Sequence, residues 1–394
     1  EQAVALAKAV DYSSAGTVEF IVDAERNFYF LEMNTRLQVE HPITEYVTGQ
    51  DLVEHMIRVA DGEQLSISQD DITLTGWALE ARVYAEDPFR NFLPSIGRLV
   101  NYRPPVETET VRVDSGIEEG SEVSMFYDPM IAKLVTYGEN REQAIERMGD
   151  ALDAYYIRGV AHNISFLNAL IAHPRFKEGR LTTNFIAEEY PDGFDAGDVP
   201  QTDPLHPVAM AAVAHRIIGG RATRITGQTR RFELKDRDDW VVIANGQHYP
   251  ISVEAVAHGF EITHEEMLYR VVTDWTLGNP VMDAEINGNA ITMQIDRVDA
   301  GYRIHHRGAI IDTLVLSPEG AALTAHMIER EPPDLSKFLL SPMPGLLVRL
   351  AVEEGDEIKT GEELAAVEAM KMENSLRATD NVKIAKILVA EGDS

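Results

Sequence analysis

Three short stretches of this sequence carry side chains able to do chemistry. In the first, Thr17-Val18-Glu19-Phe20-Ile21-Val22 and Asn27-Phe28-Tyr29-Phe30-Leu31-Glu32 read as two strands joined by a polar turn. A turn centred between Glu25 and Arg26 sets Glu19 opposite Glu32, and cross-strand neighbours come within about 5 Å. Two carboxylates that close repel unless a cation lies between them or one takes a proton. Oxygen ligands of this kind suit Mg²⁺ or Mn²⁺. Two solvated strand residues are the plain alternative, and spacing alone leaves the two level. In the second stretch Asn34, Arg36, Gln38 and Glu40 alternate with Thr35, Leu37 and Val39. An extended segment would put all four polar groups on one side until His41-Pro42 ends the run. An amide, a cation and a carboxylate in line make a site for a small anion and a general base. In the third, Glu368-Ala369-Met370-Lys371-Met372-Glu373-Asn374 sets Lys371 between two methionines and two apolar-rich strands. A hairpin tip there would expose its amine to modification.

The positioning elements fall into blocks. Residues 1–190 mix strands and helices: an Ala-rich helical pattern from Glu1 to Val10, a helix capped by Asn140 with Gln143 at its third position, and a helix from Ile164 to Ala172 that stops before Pro174. Ile145, Met148 and Leu152 share one face of the Asn140 helix. Residues 191–205 are rich in Pro, Gly and Asp and read as a linker. In residues 206–330 an apolar helix, Val208 to Ile218, is expected to end at Gly219-Gly220. Alternating strands follow from Arg231 to Leu316, with Asn245-Gly246 and Asn287-Gly288 as hairpin turns. That predicts an antiparallel barrel or sandwich packed on one long helix. No catalytic constellation shows there: His264-Glu265-Glu266 lacks a second histidine, and His305 and His306 point to opposite faces of a strand. Trp240, Tyr269 and Trp275 are docking anchors if exposed, with at least two of the three expected in the core.

A second linker, residues 331–341, leads into residues 342–394. There Val348 to Asp356 echoes Ala385 to Asp393, so two similar halves are expected to pack as a flattened sandwich around Lys371. Both ends suggest more chain, a segment before Glu1 and a last strand beyond Ser394.

Composition narrows the function. The 394 residues, 44% hydrophobic, can bury two to four domain cores. A net charge of −30 argues against nucleic acid, and the lack of any eighteen-residue apolar run argues against a membrane span. Zero cysteines exclude a disulfide framework and thiolate metal sites.

Glu32-Met33-Asn34-Thr35-Arg36-Leu37-Gln38-Val39-Glu40-His41-Pro42 closely resembles the biotin carboxylase signature of the ATP-grasp superfamily, and Arg82 to Pro88, Asn91 to Gly97 and Tyr127 to Lys133 fit it too. The Met-Lys-Met run, with Pro342-Met343-Pro344-Gly345 upstream, resembles the biotinyl carrier domain of biotin-dependent carboxylases. The resemblance implies a multidomain α/β plus all-β chain. It would comprise the C-terminal part of an ATP-grasp biotin carboxylase domain, a helix-plus-barrel subunit-docking domain, and a flattened-barrel biotinyl carrier. It implies biotin on Lys371, metal on Glu19, Glu32 and Asn34, and ATP adenine against Ile21. Arg36, Gln38 and Val39 would bind bicarbonate, Glu40 would deprotonate it, and Arg112 would stabilise the biotin enolate. The family's glycine-rich nucleotide lid and phosphate-binding lysines are not in this sequence.

In this order the domains resemble the α-subunits of acyl-CoA carboxylases of the propionyl-CoA type, with methylcrotonyl-CoA carboxylase α-subunits as the close alternative. A non-enzymatic carrier or scaffold and a lipoyl carrier are the further readings. Implied partners are a carboxyltransferase β-subunit in a hetero-oligomer and a biotin protein ligase. The implied compartment is the cytoplasm of a bacterium or the mitochondrial matrix of a eukaryote.

Overall fold

In the computed structural model the first hairpin pairs Thr17–Val22 with Phe28–Asn34, but its turn differs from the expected one. Val22 pairs with Phe28 and Ile21 with Tyr29, so the turn centres on Glu25. Asp23 closes it by accepting the Asn27 backbone N–H at 2.7 Å, and Arg26 takes φ +66°. A β-bulge between Glu19 and Phe20 then shifts the register by one residue and brings Glu19 opposite Glu32.

The structure describes residues 1–124, 126–200, 202–225, 237–327, 337–343, 345–369 and 372–393. The chain divides into two compact units. The first holds residues 1–81, 106–113 and 133–148, and the second residues 82–105, 114–132 and 149–394.

In the first unit the strand stops at Asn34, and residues 35–40 bend and turn instead of continuing extended. Glu40 is the N-cap of the helix His41–Thr48, with Pro42 in its first turn, where a missing N–H costs nothing. The alternation from Asn34 to Glu40 therefore does not make one strand face. Leu52–Ala60 follows, capped by Asp51, whose side chain accepts the Glu54 N–H at 2.8 Å. The helix Arg141–Ala154 starts as expected: Asn140 Oδ1 accepts the Gln143 N–H at 3.0 Å, and Gln143 Oε1 accepts the Glu139 N–H at 3.2 Å. Ile145, Met148 and Leu152 are buried.

The second unit contains the helix Ile164–Ala172, the long helix Leu205–Thr223 and a closed barrel of eight consecutive antiparallel strands from Asp239 to Leu316. The long helix does not end at Gly219-Gly220. Neither glycine adopts positive φ, and the helix runs through both. Each costs about 1 kcal/mol of helix propensity, which packing offsets: every residue from Val208 to Ala214 is buried, in one core with Val242, Val253, Met282, Met293 and Ile304 of the barrel. Asn245 and Gly246, and Asn287 and Gly288, all take positive φ, as the tight turns between Ala244 and Gln247 and between Ile286 and Asn289 demand. Trp275 is buried, and Trp240 and Tyr269 are half-buried against the same core, so none is an exposed anchor. Met267 and Leu268, on the same strand as Tyr269, are exposed.

Charged side chains tie the barrel to the segment 150–158. Asp296 accepts from Tyr156 Oη at 2.6 Å and Arg158 Nε at 2.9 Å. Asp153 accepts the Arg307 N–H at 2.7 Å and lies 3.2 Å from His306 Nδ1, while His305 faces Asp296 at 3.7 Å. The two neighbouring histidines thus serve different carboxylates, as strand alternation requires.

The C-terminal sheet orders Leu346–Leu350, Glu363–Ala369 and Met372–Arg377 with Glu363–Ala369 in the middle, and Ala369 pairs with Met372. Lys371 itself lies outside the described residues. The repeat is real in its hydrogen bonds, at a fixed offset along the chain. Leu347 exchanges backbone bonds with Gly392 and Asp393 just as Ile384 does with Gly355 and Asp356, each at 2.8–2.9 Å. Glu391 Oε1 accepts the Leu350 N–H at 2.8 Å, and Glu354 Oε1 the Ile387 N–H at 2.9 Å. Gly345 lets the chain pass: a Cβ there would come 2.6 Å from the Glu368 carbonyl oxygen. Among the described residues no helix is long and apolar enough to cross a membrane.

Burial, with Arg158 nearby, depresses His162 to about 4 and His305 to about 3. Both are neutral in the fold above those values, whereas unfolded histidine protonates near 6.5. Below pH 6.5 the unfolded chain therefore binds more protons. The second unit should lose stability as pH falls from about 6.5 towards 4, by up to about 1.4 kcal/mol per pH unit per histidine. Urea melts across that range test this. His305→Gln should flatten the slope, and an unchanged slope would exclude His305 as a source.

Candidate active site

The first hairpin exists to bring two carboxylates together, and neighbouring amides hold them there. Asn34 Nδ2 donates to Glu19 Oε1 at 2.8 Å and to Glu32 Oε1 at 3.2 Å. Gln38 Nε2 donates to the same Glu19 oxygen at 3.0 Å. These partial positive charges relieve the repulsion between the two acids. Among the described residues no three His, Cys, Asp or Glu side chains gather; the oxygens that meet on this hairpin are those of Glu19 and Glu32. That oxygen set fits Mg²⁺ or Mn²⁺, whose other positions phosphates and water fill. Ile21 is half exposed on the same hairpin.

Close approach leaves no room for a side chain at Gly16. A Cβ on Gly16 would meet the Tyr12 ring at 2.9 Å and the Asn34 carbonyl oxygen at 3.1 Å. Arg36, Gln38 and Glu40 then line one small depression with Gly16, His41 and Thr44. The residues reach one place by a turn, where the sequence predicted a strand face. Arg36 Nη1 donates to the Leu37 carbonyl at 3.3 Å, and His41 Nδ1 lies 2.9 Å from the Gln38 carbonyl oxygen. A guanidinium beside a carboxylate in a concave site can hold a small oxyanion next to a base.

Arg112 sits on the strand Val111–Ser115, and its Nη1 meets Glu45 Oε2 at 2.6 Å. Glu45 is only 10% exposed and also accepts the Leu52 N–H at 3.0 Å. This pair ties the strand to the helices on either side of Gly49. Two residues given no role from the sequence belong to the same unit. One is Glu45, which helix periodicity alone does not single out. The other is Lys133, whose signal was a lone cation inside the apolar run Met130-Ile131-Ala132-Lys133-Leu134-Val135.

Four known families match successive parts of the chain. Residues 1–68 match the carbamoyl-phosphate synthase L chain ATP-binding domain and residues 80–188 the biotin carboxylase C-terminal domain. Residues 208–330 match the propionyl-coenzyme A carboxylase BT domain and residues 337–394 the biotin-requiring enzyme domain. A propionyl-CoA carboxylase alpha chain of Ruegeria pomeroyi is 49% identical over 414 residues, covering 100% of this chain and 61% of the relative. The human mitochondrial propionyl-CoA carboxylase alpha chain is 44% identical over 400 residues, covering 100% and 55%. A mitochondrial methylcrotonoyl-CoA carboxylase subunit alpha of Dictyostelium discoideum is 35% identical over 404 residues, covering 98% and 56%. The chain thus spans little more than half the length of these relatives.

Removing the Arg112 side chain would leave the Glu45 carboxylate buried without this partner. Arg112→Met should destabilise the first unit by about 1–3 kcal/mol, read by denaturant unfolding. A melt identical to the parent's would show that the ion pair contributes nothing.

Proposed function

We propose that the chain is part of an α chain of the propionyl-CoA carboxylase kind and that it carboxylates biotin held on Lys371, using ATP and bicarbonate. We further propose that it passes the carboxyl group to an acyl-CoA bound by a separate carboxyltransferase β-subunit. The observation that supports this most directly is the shared depression lined by Arg36, Gln38 and Glu40, beside the paired acids Glu19 and Glu32.

In this reading Arg36 holds bicarbonate through charge-assisted hydrogen bonds, with Gln38 and the Val39 backbone N–H completing the cradle. Glu40 takes the bicarbonate proton, so that a bicarbonate oxygen can attack the terminal phosphate of ATP and form carboxyphosphate as the bond to the leaving ADP breaks. Glu19, Glu32 and Asn34 would hold a divalent cation, which would neutralise phosphate charge. Ile21 offers apolar area to the adenine. Arg112 enters on the resemblance: a guanidinium keeps its proton and can stabilise charge developing on the ureido oxygen. It has five N–H donors, of which Nη1 already goes to Glu45. Lys371 carries biotin as an amide on Nζ, attached by a biotin protein ligase.

Propionyl-CoA is favoured over methylcrotonyl-CoA by the higher identity to propionyl-CoA carboxylase chains and by the match of residues 208–330. A pure carrier or scaffold is disfavoured because every acidic and cationic group from Glu19 to Glu40 is present. The proposed compartment is the cytoplasm of a bacterium or the mitochondrial matrix of a eukaryote.

Two variants of the full-length subunit test the reading. Lys371→Arg removes the acylable amine and should abolish streptavidin binding after expression with a biotin ligase. Glu40→Gln should keep biotinylation and lose about 10²–10⁴-fold in carboxylation of free biotin. Streptavidin capture of the first, or near-normal turnover by the second, would sink the assignment.

The barrel is proposed as the β-subunit docking domain. With Trp240, Trp275 and Tyr269 packed inward, the contact falls to exposed apolar residues such as Leu268, at 55% exposure. Leu268→Glu should weaken co-purification of the β-subunit and leave free-biotin carboxylation intact. Replacing residues 206–330 by a flexible linker should abolish co-purification, and persistence of the complex in that deletion would place docking elsewhere.

A further inference from the structure

Lys133 is the one lysine or arginine among the described residues that is buried, at 8% exposure. It lies in the middle of the strand Met130–Gly138, where Ile131, Ala132, Leu134 and Val135 are all buried as well. Desolvating an ammonium is costly, and an apolar residue of similar length would burden the fold less. The head group reaches the backbone of the turn: Lys133 Nζ donates to the Val39 carbonyl oxygen at 3.0 Å.

That carbonyl lies where the backbone has left its strand. Residues 35–40 have no ladder to orient them, so each peptide plane must be fixed individually. The Gln38 carbonyl accepts the His41 N–H at 3.3 Å, and the Glu40 carbonyl accepts the Ile43 N–H at 3.1 Å. Between them, the Val39 carbonyl is taken by the lysine. A peptide unit is planar, so gripping this oxygen fixes ψ of Val39 and φ of Glu40 together. Those two angles aim the Val39 N–H on one side and the Glu40 side chain on the other.

We propose that Lys133 is a positioning residue of the bicarbonate site, clamping the Val39–Glu40 peptide so that anion and base meet in register. Its fixed positive charge also raises the potential felt by an anion entering the depression. The proposal rests on the reading of Arg36 to Glu40 as the bicarbonate site. It adds a residue from a distant strand that makes no contact with substrate.

The test uses the full-length subunit, with bicarbonate varied in the ATP-hydrolysis assay containing free biotin. Lys133→Met should lower kcat/KM for bicarbonate by about 10–100-fold, leave KM for ATP unchanged, and keep or raise the unfolding midpoint. Lys133→Arg, which restores a cationic donor, should recover part of the loss. Unchanged bicarbonate kinetics in Lys133→Met would overturn the proposal, as would an equal loss for ATP and bicarbonate with a lowered midpoint. Should Lys133→Met fail to fold, Lys133→Gln carries the same readout. Failure of both to fold would assign the lysine to the core and overturn the proposal too. Glu40→Gln run alongside separates the two levels. If it retains turnover, the site reading falls; if it loses turnover while Lys133→Met does not, only the positioning role falls.

Discussion

The candidate site depends on keeping two like charges face to face on a two-stranded hairpin. Glu19 and Glu32 are neighbours across the ladder, where repulsion would normally favour another register or a splayed pair. Two features hold them. The bulge beside Glu19 absorbs the one-residue mismatch left by a turn centred on Glu25. The amides of Asn34 and Gln38 then place N–H groups on Glu19 Oε1. The hydrogen bond from Gln38 does double service, because it also anchors the turn that delivers Arg36 and Glu40. A cation arriving at the two acids would replace donors already present, so little reorganisation is asked of the backbone.

A different economy runs the C-terminal domain. Its two halves make equivalent hydrogen bonds at a constant offset, down to the Asp356 and Asp393 side chains, which accept the Glu353 and Ala390 N–H groups, both at 2.8 Å. Such a pseudo-symmetric frame spends one set of turn chemistry twice. It leaves the strands Glu363–Ala369 and Met372–Arg377, registered from Glu363 with Arg377 to Ala369 with Met372, to flank Lys371. Met343 fills the core beneath with Leu347, Ala365 and Val367, and Gly345 lets the backbone pass the Glu368 carbonyl. The upstream motif therefore has packing work to do, whatever Lys371 carries.

What could be read from the sequence was local chemistry with one physical solution. Asn-Gly turns need positive φ at both residues, and Asn140 with Gln143 closes a helix start in one way. The misreadings came where local signals competed with tertiary packing. Gly219-Gly220 reads as a helix stop, yet eight consecutive buried residues upstream, Pro207 to Ala214, make the helix worth extending. The alternation from Asn34 to Glu40 looked like a strand, but Pro42 favours a helix start and Glu40 became its cap. The same residues still line one depression, because side chains of a tight turn can converge as well as those of a strand face. A lone cation in an apolar run marks Lys133, but its role is not legible there, because its partner is a backbone carbonyl some ninety residues away in sequence, which no local pattern encodes.

The barrel shows why perturbed titration is not by itself a sign of chemistry. His162 and His305 are pushed far below their ordinary values, the signature usually sought at active sites. Burial is the leading cause for both, and the charges around them already have structural work. Arg158 and Tyr156 bind Asp296, while Arg307 and His306 bind Asp153. A catalytic histidine needs a proton to move within reach of a substrate atom, and these rings are packed away from solvent. Neutral imidazoles there avoid adding positive charge beside Arg158, so the depressed values follow from holding the barrel against residues 150–158. Chemistry and support are thus separated by geometry. Glu40 lines a depression with Arg36 and Gln38, whereas His305 faces Asp296, already held by Tyr156 and Arg158.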